Sequence, residues 1–279
     1  MKLSLCISTC PNDTFVFDAL IHHKIDTEGF TFDVHLADVE ELNKLALEGA
    51  ADATKLSYHA YVYVAQNYLI LNSGSALGYG NGPLFVSKKK VDTGSLKDIT
   101  VAIPGKYTTA AMLLGLAFPN VGKTKEYLFS DIENAILCGE VDAGVLIHEG
   151  RFTYQDKGLQ LIADLGDCWE KRSKQPVPLG CIAIKRSLPL EVQQSFDRVL
   201  RRSVEFALKN PTESMAFVRT YAKEMDEEVM QKHIQLFVNQ STVWLGEQGR
   251  QAASVFFEEA STLKLIPELP QTLFVEEAQ

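Results

Sequence analysis

Gly144-Val145-Leu146-Ile147-His148-Glu149-Gly150-Arg151-Phe152-Thr153-Tyr154 is the segment from which the fold is read. Gly144 to Ile147 form a short apolar run, and Gly150 supplies a turn signal just behind it. That pattern fits a buried strand. His148 then falls at the carboxyl end of the strand, where open α/β sheets bind their ligands. Imidazole changes charge near neutral pH without any perturbation, so His148 is a candidate proton acceptor. A histidine packed for structure alone fits the segment equally well.

On both sides of this segment, strand-like and helix-like runs alternate. Lys2 to Ser8 alternates as a strand, and Thr9-Cys10-Pro11-Asn12-Asp13-Thr14 leads into a helix from Phe15. Pro11 suits a helix start, and Asn12, Asp13 or Thr14 could cap it. Thr31 to Leu36 is a second strand and Val39 to Leu47 a helix. Asp52 to Thr54 is a short strand whose exit carries Lys55, Leu56 and Ser57, and a Tyr-rich helix follows to Gln66. His59 in that helix reads as packing. Ser73 to Gly82 reads as a flexible Gly/Ser loop without the ending of a phosphate loop. Pro83 to Ser87 is a strand, read as the first crossing between two lobes.

The strand ending at Ile103 turns through Lys106-Tyr107-Thr108-Thr109 into a helix. Thr108 and Thr109 fall on its first turn, where hydroxyls and unpaired amides form an anion site. Lys125 to Phe129 is a strand, Ser130 to Cys138 a helix, and Leu159 to Leu165 closes the second lobe. Gly166 to Pro178, which contains Trp169, reads as an irregular loop before the returning strand Leu179 to Ile184. Helices then occupy roughly 190–209, 211–223, 227–237 and 246–263. His233 in the third of these reads as helix surface.

This order predicts an α/β fold with mostly parallel sheets, in two lobes, and a helical C-terminal third. The first lobe combines residues 1–87 and 179–279, and the second spans 88–178. Two crossings between α/β lobes describe a hinged, two-lobed binding-protein architecture with its site in the cleft. Four polar clusters fall at strand exits: Thr9 to Asp13, Lys55 to Ser57, Lys106 to Thr109, and His148 to Arg151. Two come from each lobe, so all four would face one crevice.

Composition limits the functions available. The chain has 279 residues, 46% hydrophobic and 23% charged, in the range of soluble globular proteins. A net charge of −9 argues against nucleic acid or an acidic membrane as partner. A local cleft can still take a small anionic substrate. No apolar run reaches the roughly 20 residues of a membrane span, and the first residues do not read as a signal peptide. Five scattered cysteines suit a reducing cytoplasm, without disulfide or metal-site spacing.

Cys10-Pro11-Asn12-Asp13-Thr14-Phe15, Lys55-Leu56-Ser57, Tyr107-Thr108-Thr109 and Ile147-His148-Glu149-Gly150-Arg151 together resemble the 1,4-dihydroxy-6-naphthoate synthase family. The resemblance covers essentially the whole chain, with the motifs in order. The Pro-Asn-Asp-Thr-Phe opening separates this branch from a related chorismate-dehydrating enzyme of the same fold. The resemblance implies a type II periplasmic-binding-protein fold adapted to catalysis in the cytoplasm. It implies a carbon–carbon lyase of the futalosine route to menaquinone, acting on cyclic dehypoxanthinylfutalosine. His148 matches the family's proton acceptor, Lys55, Leu56 and Ser57 one substrate-binding segment, and Thr108 and Thr109 another. Asn12 and Asp13 are further candidate substrate contacts.

Aromatisation of the product supplies driving force, so no metal or organic cofactor is expected. Two other classes fit the same architecture. One is the sister dehydratase activity. The other is a non-catalytic cytoplasmic solute-binding module.

Overall fold

In the computed structural model, which describes residues 1–148, 150–222 and 226–277, the alternation of strand and helix resolves into two sheets. The strands are β1 (Lys2–Ser8), β2 (Thr31–Ala37), β3 (Ala53–Ser57), β4 (Tyr68–Ile70), β5 (Ala76–Gly78), β6 (Leu84–Ser87), β7 (Thr100–Ile103), β8 (Lys123–Glu126), β9 (Ala143–Leu146), β10 (Gln160–Asp164) and β11 (Val177–Lys185). The first sheet runs β2-β1-β3-β11-β4, with β5 also on β11, and the second runs β10-β6-β9-β7-β8.

Both sheets are mixed rather than mostly parallel. β1 is parallel to β2 and β3, and β7 is parallel to β8 and β9. The returning strand β11 is antiparallel to β3, β4 and β5, and β6 is antiparallel to β9 and β10. Strands that carry the chain between the sheets therefore run against the βαβ units they join.

β6 belongs to the second sheet, where Leu84 to Ser87 pair with Leu146 to Ala143. The sequence reading put this strand at the end of the first lobe. Its four residues are buried, as suits a strand flanked on both edges. The passage between sheets thus lies between β5 and β6 on the way out, and between β10 and β11 on the way back.

The helices are α1 (Pro11–Ile21), α2 (Val39–Leu47), α3 (Tyr58–Val64), α4 (Thr109–Ala117), α5 (Ile132–Cys138), α6 (Gly150–Thr153), α7 (Leu165–Ser173), α8 (Leu190–Lys209), α9 (Pro211–Tyr221), α10 (Glu227–Phe237), α11 (Gln240–Val243) and α12 (Gly246–Thr262). α7 occupies what the sequence suggested as loop. Asp164 caps it by accepting from the Gly166 and Asp167 amides, and Trp169 is buried on it with Nε1 donating to the Pro176 carbonyl at 3.0 Å. Gly166 lies so close to Gly82 that a Cβ there would fall 2.5 Å from the Gly82 nitrogen. Glycine at both positions allows α7 to start against the crossing segment.

One core packs α1 and α8 on the first sheet through Phe15, Phe17, Leu3, Leu5, Phe196 and Leu200. Each such side chain contributes about 1.5–3 kcal/mol on burial. A second core runs across both sheets, from Leu56, Tyr58 and Val177 to Phe85, Val101 and Val145, with Phe256 and Phe257 of α12. Among the described residues no helix is long and apolar enough to cross a membrane.

Candidate active site

β1, β3, β7 and β9, the strands joined by parallel pairing, deliver their carboxyl ends to one cleft. The cleft holds about 740 Å³ of atom-free space, solvent at its mouth included. It is lined by Asn12, Lys55, Ser57, Thr108, Thr109 and His148, together with Asn81, Arg151, Gly180, His233 and Phe237. Six of the eight candidate residues therefore meet at one surface. Asp13 and Leu56 do not reach it. Leu56 faces the core, and Asp13 stands behind Lys55.

His148 follows β9 in a left-handed backbone conformation, φ 54°. Histidine is among the non-glycine residues enriched there, and the turn swings its ring out of the strand direction. Cys10 Sγ lies 3.5 Å from Nε2, and Phe129 stands edge-on with its centroid 4.9 Å away. The ring also borders a second space, lined by Thr9, Cys10, Phe129, Ser130 and Lys157. His148 is thus neither in a core nor on the outer surface. Glu149 of the same motif lies outside the described residues.

Lys55 is fixed before any ligand arrives. Its Nζ donates to Asp13 Oδ1 at 2.6 Å, and both side chains are buried. Asp13 also accepts from Ser8 Oγ at 2.6 Å and from Asn12 Nδ2 at 2.8 Å. A carboxylate with three donors offsets its desolvation in a way a lone one could not. Gly180 makes room for the pair, since a Cβ there would lie 2.9 Å from Lys55 Cε and 3.2 Å from the Leu56 carbonyl. The sequence suggested that Lys55 to Ser57 follow their strand. They are instead its last three residues, and Ser57 begins α3 as its N-cap.

Ser57 is held by Asn43 of α2. Asn43 Nδ2 donates to Ser57 Oγ at 3.2 Å, and the Ser57 amide donates to Asn43 Oδ1 at 3.0 Å. The hydroxyl proton is what Ser57 can offer a ligand. Asn43 also donates to Glu40 Oε2 at 3.0 Å, and Glu40 Oε1 accepts from the Tyr107 amide at 3.3 Å. This chain ties the first sheet's helix to the β7–α4 turn. Burial raises the Glu40 pKa.

Thr108 caps α4, its Oγ1 accepting from the Ala111 amide at 3.2 Å and donating to the Gly105 carbonyl at 2.8 Å. Thr109 Oγ1 donates to the Leu179 carbonyl at 2.8 Å and accepts from the His59 amide at 3.4 Å. Each hydroxyl proton is already committed. What this turn can give an anion is therefore its backbone amides, aligned with the helix dipole.

Arg151 is equally engaged. It donates to the Gly82 and Gly80 carbonyls and pairs with Asp164 at 2.8 Å. His59 is satisfied by the Thr108 carbonyl at 3.1 Å and Tyr63 Oη at 3.3 Å, and burial lowers its pKa to about 4. It is packing, as its sequence context suggests.

His233 is not helix surface. It is 1% exposed, and its ring centroid lies 5.7 Å from that of His148. The signal was present in the spacing: His233 stands three residues from Met230 and four from Phe237, on the apolar stripe of α10. Among the described residues no group of three or more His, Cys, Asp or Glu could hold a metal ion.

Residues 3–262 match the family model described as menaquinone biosynthesis. The chain is 41% identical to a 1,4-dihydroxy-6-naphthoate synthase from Thermus thermophilus, covering 98% of this chain and 99% of that protein. It is 39% identical to one from Streptomyces coelicolor, covering 96% and 95%. A Candida albicans protein described as having the generic periplasmic binding protein fold superposes with a TM-score of 0.63 at 10% identity, over 100% of this chain and 99% of that one. The two-lobed binding-protein fold expected from the sequence is the fold observed. By these matches the chain belongs to the menaquinone-biosynthesis family that includes the 1,4-dihydroxy-6-naphthoate synthases.

Proposed function

We propose that this protein is a carbon–carbon lyase that converts cyclic dehypoxanthinylfutalosine to 1,4-dihydroxy-6-naphthoate, with His148 as general base. The observation that carries the reading is the position of His148, at a strand end in a cleft lined by both sheets. The names of the relatives supply the product. Imidazole is the side chain best suited to accept a proton near neutral pH, and such help is worth about 10²–10⁴-fold. The electrons left behind are drawn into a ring that becomes aromatic, which makes the departure of the other fragment favourable.

The substrate carboxylate would meet the first-turn amides of α4 and the Ser57 hydroxyl, with Asn12 and Lys55 nearby. Lys55 and Arg151 already carry carboxylate partners. Binding would then rest on aligned dipoles and hydrogen bonds, and on a desolvated cleft that strengthens both. Closure of the two lobes over the ligand would exclude water and align the base. The reaction would take place in the cytoplasm on a small anionic substrate.

The test is to incubate the purified protein with cyclic dehypoxanthinylfutalosine and, separately, with a chorismate-type acid. Release of 1,4-dihydroxy-6-naphthoate from the first alone is expected. Dehydration of the second, or tight binding of the first without turnover, would overturn the reading in favour of a sister dehydratase or a binding module.

A further inference from the structure

We propose that His233 is a second imidazole of this site, which contacts the bound substrate directly as a neutral hydrogen-bonding group. The inference rests on reading the cleft as the site of the lyase reaction.

The ring is almost wholly buried, yet neither Nδ1 nor Nε2 has a hydrogen-bond partner among the described residues. Burying two polar atoms unpaired is unfavourable, and an apolar side chain of similar size would relieve it. A position used only for packing would suit leucine or phenylalanine, as Met230, Ile234 and Phe237 suit the rest of that helix face. The ring instead lines the cleft, beside His148. Asn81 lines the same wall with a buried Oδ1 that also lacks a partner, while its Nδ2 donates to the Leu236 carbonyl of α10 at 3.1 Å. These unpaired atoms lie just beneath one wall of the cleft, where a ligand's hydroxyls would complete them once the ring and the amide turn toward it.

Burial, helped by the surrounding charges, keeps the ring neutral. Burial, then His148 from the β9–α6 turn and Lys55 from β3, hold the His233 pKa well below its ordinary value. Asp13 of α1 is already closed on Lys55. A neutral ring offers one donor and one acceptor on nitrogens that point in different directions, so it can accept from one substrate hydroxyl and donate to another polar atom. It also leaves His148 without a second positive charge beside it when His148 takes up a proton. Stability is thereby sacrificed at the site for function.

The experiment compares His233→Leu and His233→Gln with wild type in the full chain. It measures kcat and KM with cyclic dehypoxanthinylfutalosine, and Tm without ligand. His233→Leu is expected to keep or raise Tm and to lower kcat/KM by about tenfold or more. His233→Gln, which retains a donor and an acceptor, should recover part of that loss. A kcat/KM within about fivefold of wild type in His233→Leu would overturn the proposal. So would a Tm lowered by more than about 4 °C in both variants, because the ring would then be structural. If wild type itself does not turn over the substrate, the lyase reading fails separately. Unliganded Tm then still decides: a fall in His233→Leu overturns the proposal, and no fall supports a ring held for a ligand.

Discussion

Lys55 Nζ lies 2.6 Å from Asp13 Oδ1, in a pair that joins the end of β3 to the first turn of α1 and is buried on both sides. The only part of this pair at the cleft wall is the lysine. Asp13 therefore acts as a support, whereas the sequence suggests it, with Asn12, as a candidate substrate contact.

Removing the support should be expensive. Asp13→Ala leaves a buried ammonium without its counter-charge, and such changes destabilise by about 3–5 kcal/mol. Denaturant unfolding checks this. The double variant Asp13→Ala, Lys55→Met should regain most of the loss, because the uncompensated charge is gone, while substrate affinity stays low. A double variant as unstable as the single one would contradict this account of the pair.

Part of the pH dependence of stability comes from His59, and His233, whose pKa burial also lowers, adds to it in the same sense. The folded pKa of His59, about 4, is depressed by burial, so between pH 6.5 and 4 the unfolded chain binds more protons than the folded one. Stability should fall as pH is lowered through that window, with His59 accounting for about 3 kcal/mol. Glu40 acts in the opposite sense: its raised pKa means that its contribution is greatest below 4.5 and is lost as pH rises through the folded value. His59→Gln should flatten the acid limb, and Glu40→Gln should steepen it. Denaturation curves measured from pH 4 to pH 7 read both slopes, and an unchanged acid limb in His59→Gln would contradict the assignment.

Thr109→Val should weaken substrate binding by about five- to tenfold, and it removes the donor to the Leu179 carbonyl, a loss worth about 1–3 kcal/mol when the acceptor is buried. The first turn of α4, whose amides are proposed to hold the substrate carboxylate, is anchored to β11 through that bond. Titration on a His148→Asn background separates binding from turnover. Unchanged affinity would show that the amides hold their place without the Thr109 hydroxyl.

Much of this was legible in the chain. Strand exits were readable because apolar runs end abruptly in polar, helix-starting residues, as Ile7-Ser8 do before Pro11 and Ile103 does before Thr108. That placed Asn12, Ser57, Thr108 and His148 on one surface. Local sequence does not encode strand partners, so Leu84 to Ser87 read as a strand without revealing that it pairs with β9. The Trp169 helix was hidden by Gly166, Cys168 and Ser173, whose weak helical preference is overridden by the Asp164 cap and by burial of the indole. His233 is visible in its spacing but reads as helix surface, because one polar residue on an apolar stripe looks like an interruption. The Glu40–Tyr107 bond joins residues 67 apart in sequence, and no local pattern announces such a contact.

Turnover by His148→Asn decides whether His148 accepts the proton. Asparagine keeps a polar side chain at the turn but cannot accept a proton near neutral pH. The variant should be folded, bind cyclic dehypoxanthinylfutalosine with wild-type affinity and show a kcat lower by roughly 10²-fold or more. A kcat near that of wild type would remove His148 from the chemistry and with it the proposed reaction mechanism.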